Sequence, residues 1–299
     1  MIKTNFYTKV ALAVLAQALP YAAFAQLAQP DTIYKQTFDD EASFMTMTLV
    51  DADKNGKQWD FDQDGYKKGC ARALHNFDFD SDNWLITPDL NLEGGRMYIL
   101  DYKAYGNGYF PPELISQYMN VAFGRGPKPD AYTVVSTDKK IEPGRTFRNY
   151  RLYIKVKESA DDYRVGFEDV SYADSYILRL DDIFLVKGCL LEAPDSVSAF
   201  TVTAAEKGVA SATLNFTAPS LTADGQPLGA LSKVSVYRDG TLIKVFTAPA
   251  AGAALSFTDT RALDGYNTYQ VVATNASGDG IVTARTVYVG VDVPAAPTN

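Results

Sequence analysis

One histidine, His75, and two cysteines, Cys70 and Cys189, are all that this chain offers to soft-metal or nucleophile–base chemistry. A structural zinc takes four His or Cys ligands, so no zinc site is expected. A Ser-His-Asp or Cys-His hydrolase would have to recruit His75, which sits in ALHNFDFD, and the chain has no G-x-S-x-G elbow. No glycine-rich loop leads into a helix that would cradle phosphate. Long apolar runs are also missing: no segment reaches about 20 apolar residues, so no membrane-spanning helix is expected. Positive charge is scarce too, 28 Lys and Arg against 36 Asp and Glu, a net charge of -8. Such a chain repels nucleic acid and anionic bilayers, leaving cations and neutral molecules as expected partners. Whether Cys70 and Cys189 bridge or remain thiols is open, as is the oligomeric state.

Residues 1–25 read as a secretory signal. Lys3 and Lys9 precede the apolar run VALAVLAQAL, and Ala23-Phe24-Ala25 supplies a small-x-small cleavage site before Gln26. No cysteine follows to carry a lipid, so a secreted or cell-surface location is expected. Loss of Lys3 and Lys9 takes the net charge from -8 to -10.

A length of 299 residues suggests two domains. Strand-like runs recur at TIYKQTF (32–38), RMYILDYKAYG (96–106), RNYRLYIKV (148–156), DYRVGFEDV (162–170) and YILRLDDIFLVKG (176–188). No amphipathic helix of three turns is present; EASFMTM reads as a short helical or irregular excursion. An all-β chain follows. Near LLEAPDSV, residues 190–197, Pro194 and Asp195 interrupt the pattern, and the composition shifts from Asp, Tyr and Phe to Ala, Thr and Val. The expected domains are therefore 31–190 and 194–292, with 293–299 a linker or the start of a further domain.

The second module has the length and strand spacing of an immunoglobulin-like sandwich, and Asp239-Gly240 between VSVYR and TLIKVF marks a hairpin. Pro194, LNFTAPS, VYRDGTLI and LDGYNTYQVVATNASGDG together resemble a fibronectin type III domain over nearly the whole module. The resemblance implies a spacing or binding role, with Leu263 and Tyr269 as the leucine and corner tyrosine and Phe216 in place of the strand-B tryptophan.

In the first module three acidic tracts stand out: Asp51-x-Asp53-x-Asn55-Gly56, Asp60-x-Asp62-x-Asp64-Gly65 and Asp78-x-Asp80-x-Asp82-Asn83. Calcium takes six to eight oxygens, and a DxDxNG turn gathers three side-chain oxygens while glycine allows the bend. A solvated acidic turn is the alternative, above all for the second and third tracts. An EF-hand is not expected, since no helices flank the turn and the twelfth position from Asp51 is Asp62. Strand alternation in SYILRLDDIFLV sets Asp182 on the face of Leu178, Leu180 and Phe184, with Asp181 opposite beside Arg179. A carboxylate on an apolar face calls for hydrogen bonds or a metal.

These features resemble the cleaved-adhesin, or choice-of-anchor J, domains, over about residues 32–188. The carriers are DSDNWLITPDLNLEGGRMYILDYKA, TLVDADKNGKQW, LRLDDIFLV and the opening QTFDDE, where Asp39 replaces the family's Glu. The resemblance implies a jelly-roll sandwich with first and last strands side by side and structural calcium supporting the loops. It makes Asp39, Asp51, Asp53, Asn55 and Asp182 the candidate ligands, and Trp59, Trp84 and Pro88 packing or turn residues. In YGNGYFPPELISQY, the aromatics Tyr105, Tyr109, Phe110 and Tyr118 are candidates for stacking on a sugar or a protein, or for packing beneath their loop.

The expected function is an exported, non-catalytic adhesion protein: an N-terminal jelly-roll β-sandwich, calcium-supported, that recognises a host protein or glycan, carried on a fibronectin-like spacer. The alternative is a carbohydrate-binding accessory module of a larger polysaccharide-degrading enzyme. A glycosidase using a carboxylate pair comes third.

Overall fold

The computed structural model describes residues 31–74, 77–107, 117–141 and 146–291. The expected signal segment, His75, and residues 293–299 lie outside them. The chain is built almost wholly of antiparallel strands. In the first part these are β1 (Thr32–Gln36), β2 (Thr48–Asp51), β3 (Trp59–Asp62), β4 (Cys70–Leu74), β5 (Asn83–Ile86), β6 (Leu90–Leu92), β7 (Arg96–Asn107), β8 (Gln117–Arg125), β9 (Thr133–Ile141), β10 (Arg148–Val156), β11 (Ala160–Asp169) and β12 (Ile177–Leu190). One helical turn, α1 (Glu41–Phe44), interrupts them. It is held by a reciprocal cap in which the Asp40 carboxylate accepts from the Ser43 amide at 2.8 Å.

Two six-stranded sheets result. The first runs β10-β7-β12-β4-β3, with β1 also on β12; the second runs β2-β5-β11-β8-β9, with β6 also on β11. The first and last strands, β1 and β12, are therefore neighbours, paired from Thr32 with Val186 to Gln36 with Ile183. The sheets face each other across one core. Tyr98, Leu100 and Tyr102 of β7 and Leu178, Leu180, Ile183 and Leu185 of β12 meet Leu85, Met119, Val121 and Phe167 from the other sheet. Strand alternation explains why every second residue of β7 is buried. The Tyr102 and Phe167 rings meet edge-on at 5.5 Å, and burying a ring of this size is worth about 2–3 kcal/mol. This is the expected jelly-roll sandwich.

Alternation fails at one place in β12. Asp182 has φ +48°, and the pairing with β7 slips between Asp181 and Phe184. That bulge inserts a residue, so the core face passes from Leu178 and Leu180 to Ile183 and Leu185. The expectation that Asp182 shares a face with Leu178, Leu180 and Phe184 is corrected here. The strict period of two holds only up to the bulge.

The second part contains β13 (Ser198–Ala204), β14 (Ala212–Thr217), β15 (Lys233–Arg238), β16 (Thr241–Thr247), β17 (Ala254–Asp259), β18 (Gly265–Asn275), β19 (Gly278–Asp279) and β20 (Thr283–Val289). A sheet β13-β14-β17 faces a sheet β16-β15-β18-β19 that also holds β20, an immunoglobulin-like sandwich. Phe216, 3% exposed, sits in its core with Phe200 and Phe246 edge-on at 6.0 and 5.8 Å. Asp239 and Gly240 both take positive φ, +47° and +79°, and close the β15–β16 hairpin. Tyr269 is fully buried, and its hydroxyl donates to the Asp259 carboxylate at 2.9 Å. Leu263 is 61% exposed and packs into no core, unlike the leucine of the resemblance.

Both cysteines are free thiols. Burial pushes Cys70 up to about 12 and Cys189 up to about 11, so neither is a reactive thiolate.

Candidate functional site

Strand direction decides where the unusual residues gather. Asp51 pairs with Asn83, Asp169 with Asn83 and Met119, Ile177 with Leu74 and Asn107, Gln117 with Ile141, and Arg148 with Ala104. The β2–β3, β4–β5, β7–β8, β9–β10 and β11–β12 connections consequently all leave from one end of the first sandwich. Leu190, which leads into the second sandwich, is at the other end, paired with Arg96.

At the loop-rich end the Asp51–Gly56 turn is folded on its own carboxylates. Asp51 accepts from the amides of Asn55 at 3.2 Å and Gly56 at 2.9 Å; Asp53 accepts from the Asn55 amide at 3.1 Å and its side chain at 2.7 Å. Gly56 at φ +79° permits the bend. Desolvation pushes Asp51 up, but its hydrogen bond with Asp53 and the amides of Gly56, Asn55 and Lys54 hold it below the usual carboxylate range; Asp53 is raised by desolvation and by Asp51. The two carboxylates are thus close enough to shift each other in opposite directions. In the same strand row, Asn83 is 2% exposed and its Oδ1 is buried without a partner. Beyond it Asp169 is raised by burial, although Ser171 Oγ donates to it at 2.5 Å.

The donor set at this turn, carboxylate and amide oxygen, fits a hard cation such as calcium, and a bound ion would supply charge neutralisation and loop support. Asp51, Asp53 and Asn55 would hold it. Asp39 and Asp182 stand elsewhere. Asp39 lies 3.6 Å from Lys68, and Asp182, carried to the outer face of its sheet by the bulge, lies 2.5 Å from Lys103. Among the described residues no three His, Cys, Asp or Glu side chains gather around a common point for a metal. Of the four candidate aspartates, only Asp51 and Asp53 share a turn.

The second acidic tract, expected to be a solvated turn, is mostly not one. Asp60 binds Arg72 at 2.8 and 2.5 Å, and Asp62 binds Arg72 at 3.1 Å and Arg179 at 2.7 Å. Burial raises Asp62, but the Asp64 amide and the two guanidiniums outweigh it and hold the carboxyl low. Only Asp64, 85% exposed, faces water. The alternation of β3 places Asp60 and Asp62 together on the outer face, opposite the arginines.

That outer face also holds Asp181, 1% exposed, which accepts from the Tyr66 amide at 2.7 Å and the Asp182 amide at 2.6 Å. Burial pushes its carboxyl up to about 6. No pattern along the chain marks this carboxyl as one raised by its surroundings. It is closed over by the β3–β4 hairpin, whose Tyr66 amide donates to it.

Of the four candidate aromatics, Tyr109 and Phe110 lie outside the described residues. Tyr105 is half-buried, edge-on to Phe147 at 4.6 Å, with the Arg179 guanidinium 5.3 Å from its ring; it packs on the outer face of the sheet. Tyr118 meets Tyr172 edge-on at 5.4 Å, and its amide donates to Ser171 Oγ at 3.1 Å. Sequence reasoning missed the rings that are open to solvent here: Phe77, Phe79 and Tyr172, at 74%, 64% and 62% exposure. The loops carrying them are tied together, since Asp80 accepts from the Ala173 amide at 2.9 Å and the Ser81 amide donates to Ser171 at 2.8 Å. Asp82 joins the acidic turn to them, its carbonyl accepting from the Ala52 amide at 3.0 Å. The alternation Phe77-Asp78-Phe79-Asp80 in a segment without strand neighbours was the available signal. Phenylalanine on an acidic loop has no core to enter.

No family model matches this chain, and no curated protein does. Among solved structures, it is similar to a cleaved adhesin domain of Lys-gingipain from Porphyromonas gingivalis, with 20% identity and TM-score 0.40, covering 52% of this chain and 97% of that one. A second cleaved adhesin domain of the same protein matches with 19% identity and TM-score 0.37, covering 52% and 98%. The CBM22-1 xylan-binding domain from Paenibacillus barcinonensis matches with 8% identity and TM-score 0.38, covering 53% and 95%. Among the described residues no helix is long and apolar enough to cross a membrane.

Proposed function

We propose that this chain is an exported, non-catalytic adhesion protein of the cleaved-adhesin type, whose loop-rich end recognises a host protein or glycan. The observation that carries the reading is the separation of ends. Phe77, Phe79, Tyr172 and Tyr118 stand at one end of the first sandwich, and the second sandwich is attached at the other. A patch of exposed rings on tethered loops is a contact surface. Structural calcium at Asp51, Asp53 and Asn55 would brace it, because the acidic turn hydrogen-bonds directly to the loop that bears Phe79. The second sandwich, a fibronectin type III-like spacer, holds this end outward, and 31–190 and 194–292 are separate domains.

The test is a screen of the full chain against arrayed glycans and a panel of host matrix and serum proteins, beside a Phe77→Ala/Phe79→Ala/Tyr172→Ala variant. Binding is expected to fall at least about tenfold in the variant, with its melting unchanged. Undiminished binding by the variant would reject the loop end as the surface. Binding confined to plant polysaccharides, with none to host proteins, would favour the accessory-module alternative, which uses the same rings.

A further inference from the structure

The two sandwiches enclose a groove of about 480 Å³ on the side away from the aromatic loops. Its floor is the outer face of β10, which contributes Arg151, Tyr153 and Lys155, and its far wall comes from Ser196, Thr283 and Arg285 of the second sandwich. The junction behind it is tied. The Ala223 amide donates to Ala193 at 2.8 Å, Asp224 to Leu191 at 3.0 Å and Ile281 to Pro194 at 3.1 Å, while Met97, Leu191 and Ala223 pack together.

Three cations line the groove, Arg151, Lys155 and Arg285, beside one lining carboxylate, Asp195, which already accepts from the Ser196 amide at 2.6 Å. Arg151 is forked onto Asp101 at 2.6 Å through both contacts, so its charge is answered. Lys155 stands 3.8 Å from Asp224, a loose pair. Arg285 is exposed and, among the described residues, meets no carboxylate; its nearest acceptor is the Ala284 carbonyl at 3.4 Å. Thr283 Oγ1 is buried there without a hydrogen-bond partner, and Tyr153 keeps 39% of its surface open.

We propose that this groove binds a short oligosaccharide bearing carboxylates, a uronic-acid chain. Arg285 offers a planar fork to a carboxylate, with Lys155 as a second point charge. Tyr153, 39% exposed, would stack on the apolar side of a pyranose. The volume falls in the range of small-ligand sites. This site goes beyond the loop-end surface and lies at the opposite end of the first sandwich.

Calorimetry on the full chain would compare trigalacturonate, galacturonate and neutral cellotriose, with Arg285→Ala and Arg285→Ala/Lys155→Ala variants. Trigalacturonate is expected to bind at least about tenfold more tightly than cellotriose, and the double variant to lose that preference with melting unchanged. Arg285→Ala alone, which leaves the Lys155–Asp224 contact in place, is expected to lose part of it. The Phe77/Phe79/Tyr172 triple variant is expected to keep it, which separates this site from the loop end. Equal affinity for the charged and neutral trisaccharides, no binding of either, or an undiminished preference in the double variant would overturn the proposal.

Discussion

The outer face of the β10-β7-β12-β4-β3 sheet carries a chain of ion pairs, Asp60 to Arg72 to Asp62 to Arg179, with Lys103–Asp182 and Arg151–Asp101 beside it. The second sandwich decorates its faces instead with hydroxyl pairs, Thr213 with Thr258 at 3.1 Å and Thr268 with Thr286 at 2.9 Å, and among its described residues keeps one largely buried pair, Arg238–Asp259. The difference follows from cover. In the first sandwich a hairpin folds over the sheet and shuts Arg179, Asp181 and Asp182 away from water, so each charge needs a partner. In the second, neutral polar side chains serve the open faces, and the buried carboxylate Asp259 is likewise paired. In the first sandwich buried charge is gathered into a network; in the second it is concentrated at the single Arg238–Asp259 pair among the described residues.

The strongest way to break this contrast is to remove the link of the chain that serves two arginines. Asp62→Ala leaves Arg179, whose side chain is 7% exposed, without its main carboxylate. It is expected to destabilise the first sandwich by about 3–5 kcal/mol in denaturant unfolding, whereas Asp64→Ala leaves the midpoint in place. Asp259→Ala strips both Arg238 and Tyr269 of an acceptor and is expected to cost about 3 kcal/mol in the second sandwich alone.

Asp181 gives the contrast a pH signature. Its folded carboxyl titrates near about 6 and its unfolded one near 3.8. Folding therefore takes up a proton between these values, and the stability this group contributes is full below about 4 and lost as pH rises through about 6. The gap between wild type and Asp181→Asn is expected to shift by about 2.4 kcal/mol against the wild type from about pH 4 to about pH 7. A constant gap would mean that the carboxyl is not raised.

A calcium chelator is expected to lower the melting of the first sandwich, by on the order of 2–3 kcal/mol where free calcium had stood at about 100 times its Kd, and to leave the second unchanged. Equal scans would remove calcium from the account. Asp182→Ala should cost the same with and without chelator, because its partner is Lys103. The smallest effect is sought in the second sandwich: Gly240→Ala, at φ +79°, should cost about 1–2 kcal/mol without touching the first.

Much of the fold was legible. Long alternating runs such as RNYRLYIKV coincide with β10 from end to end, and Asp239-Gly240 announced its hairpin. Short strands were not legible: β2, β3, β4 and β6 span three to five residues each, too few for periodicity to register. The site was read unevenly. DADKNG is a turn built on its own carboxylates, visible because its hydrogen bonds are local. Asn83 and Asp169 escaped notice, since only strand register sets them in one row with Asp51.

What the sequence by itself determined is the class of structure and chemistry. Alternation over β-branched and aromatic residues makes it all-β, and the shortage of His, Cys and cations restricts what it can bind. Local interactions along a chain are sufficient for that. Which end carries the loops, which carboxylates meet lysine or arginine, and the slip at Asp182 that turns a core position outward were decided by tertiary structure. These depend on partners brought from elsewhere in the chain, such as Lys103 for Asp182 and Arg179 for Asp62. Pairing at that distance is set by how the sheets close over a common core, which no local pattern encodes.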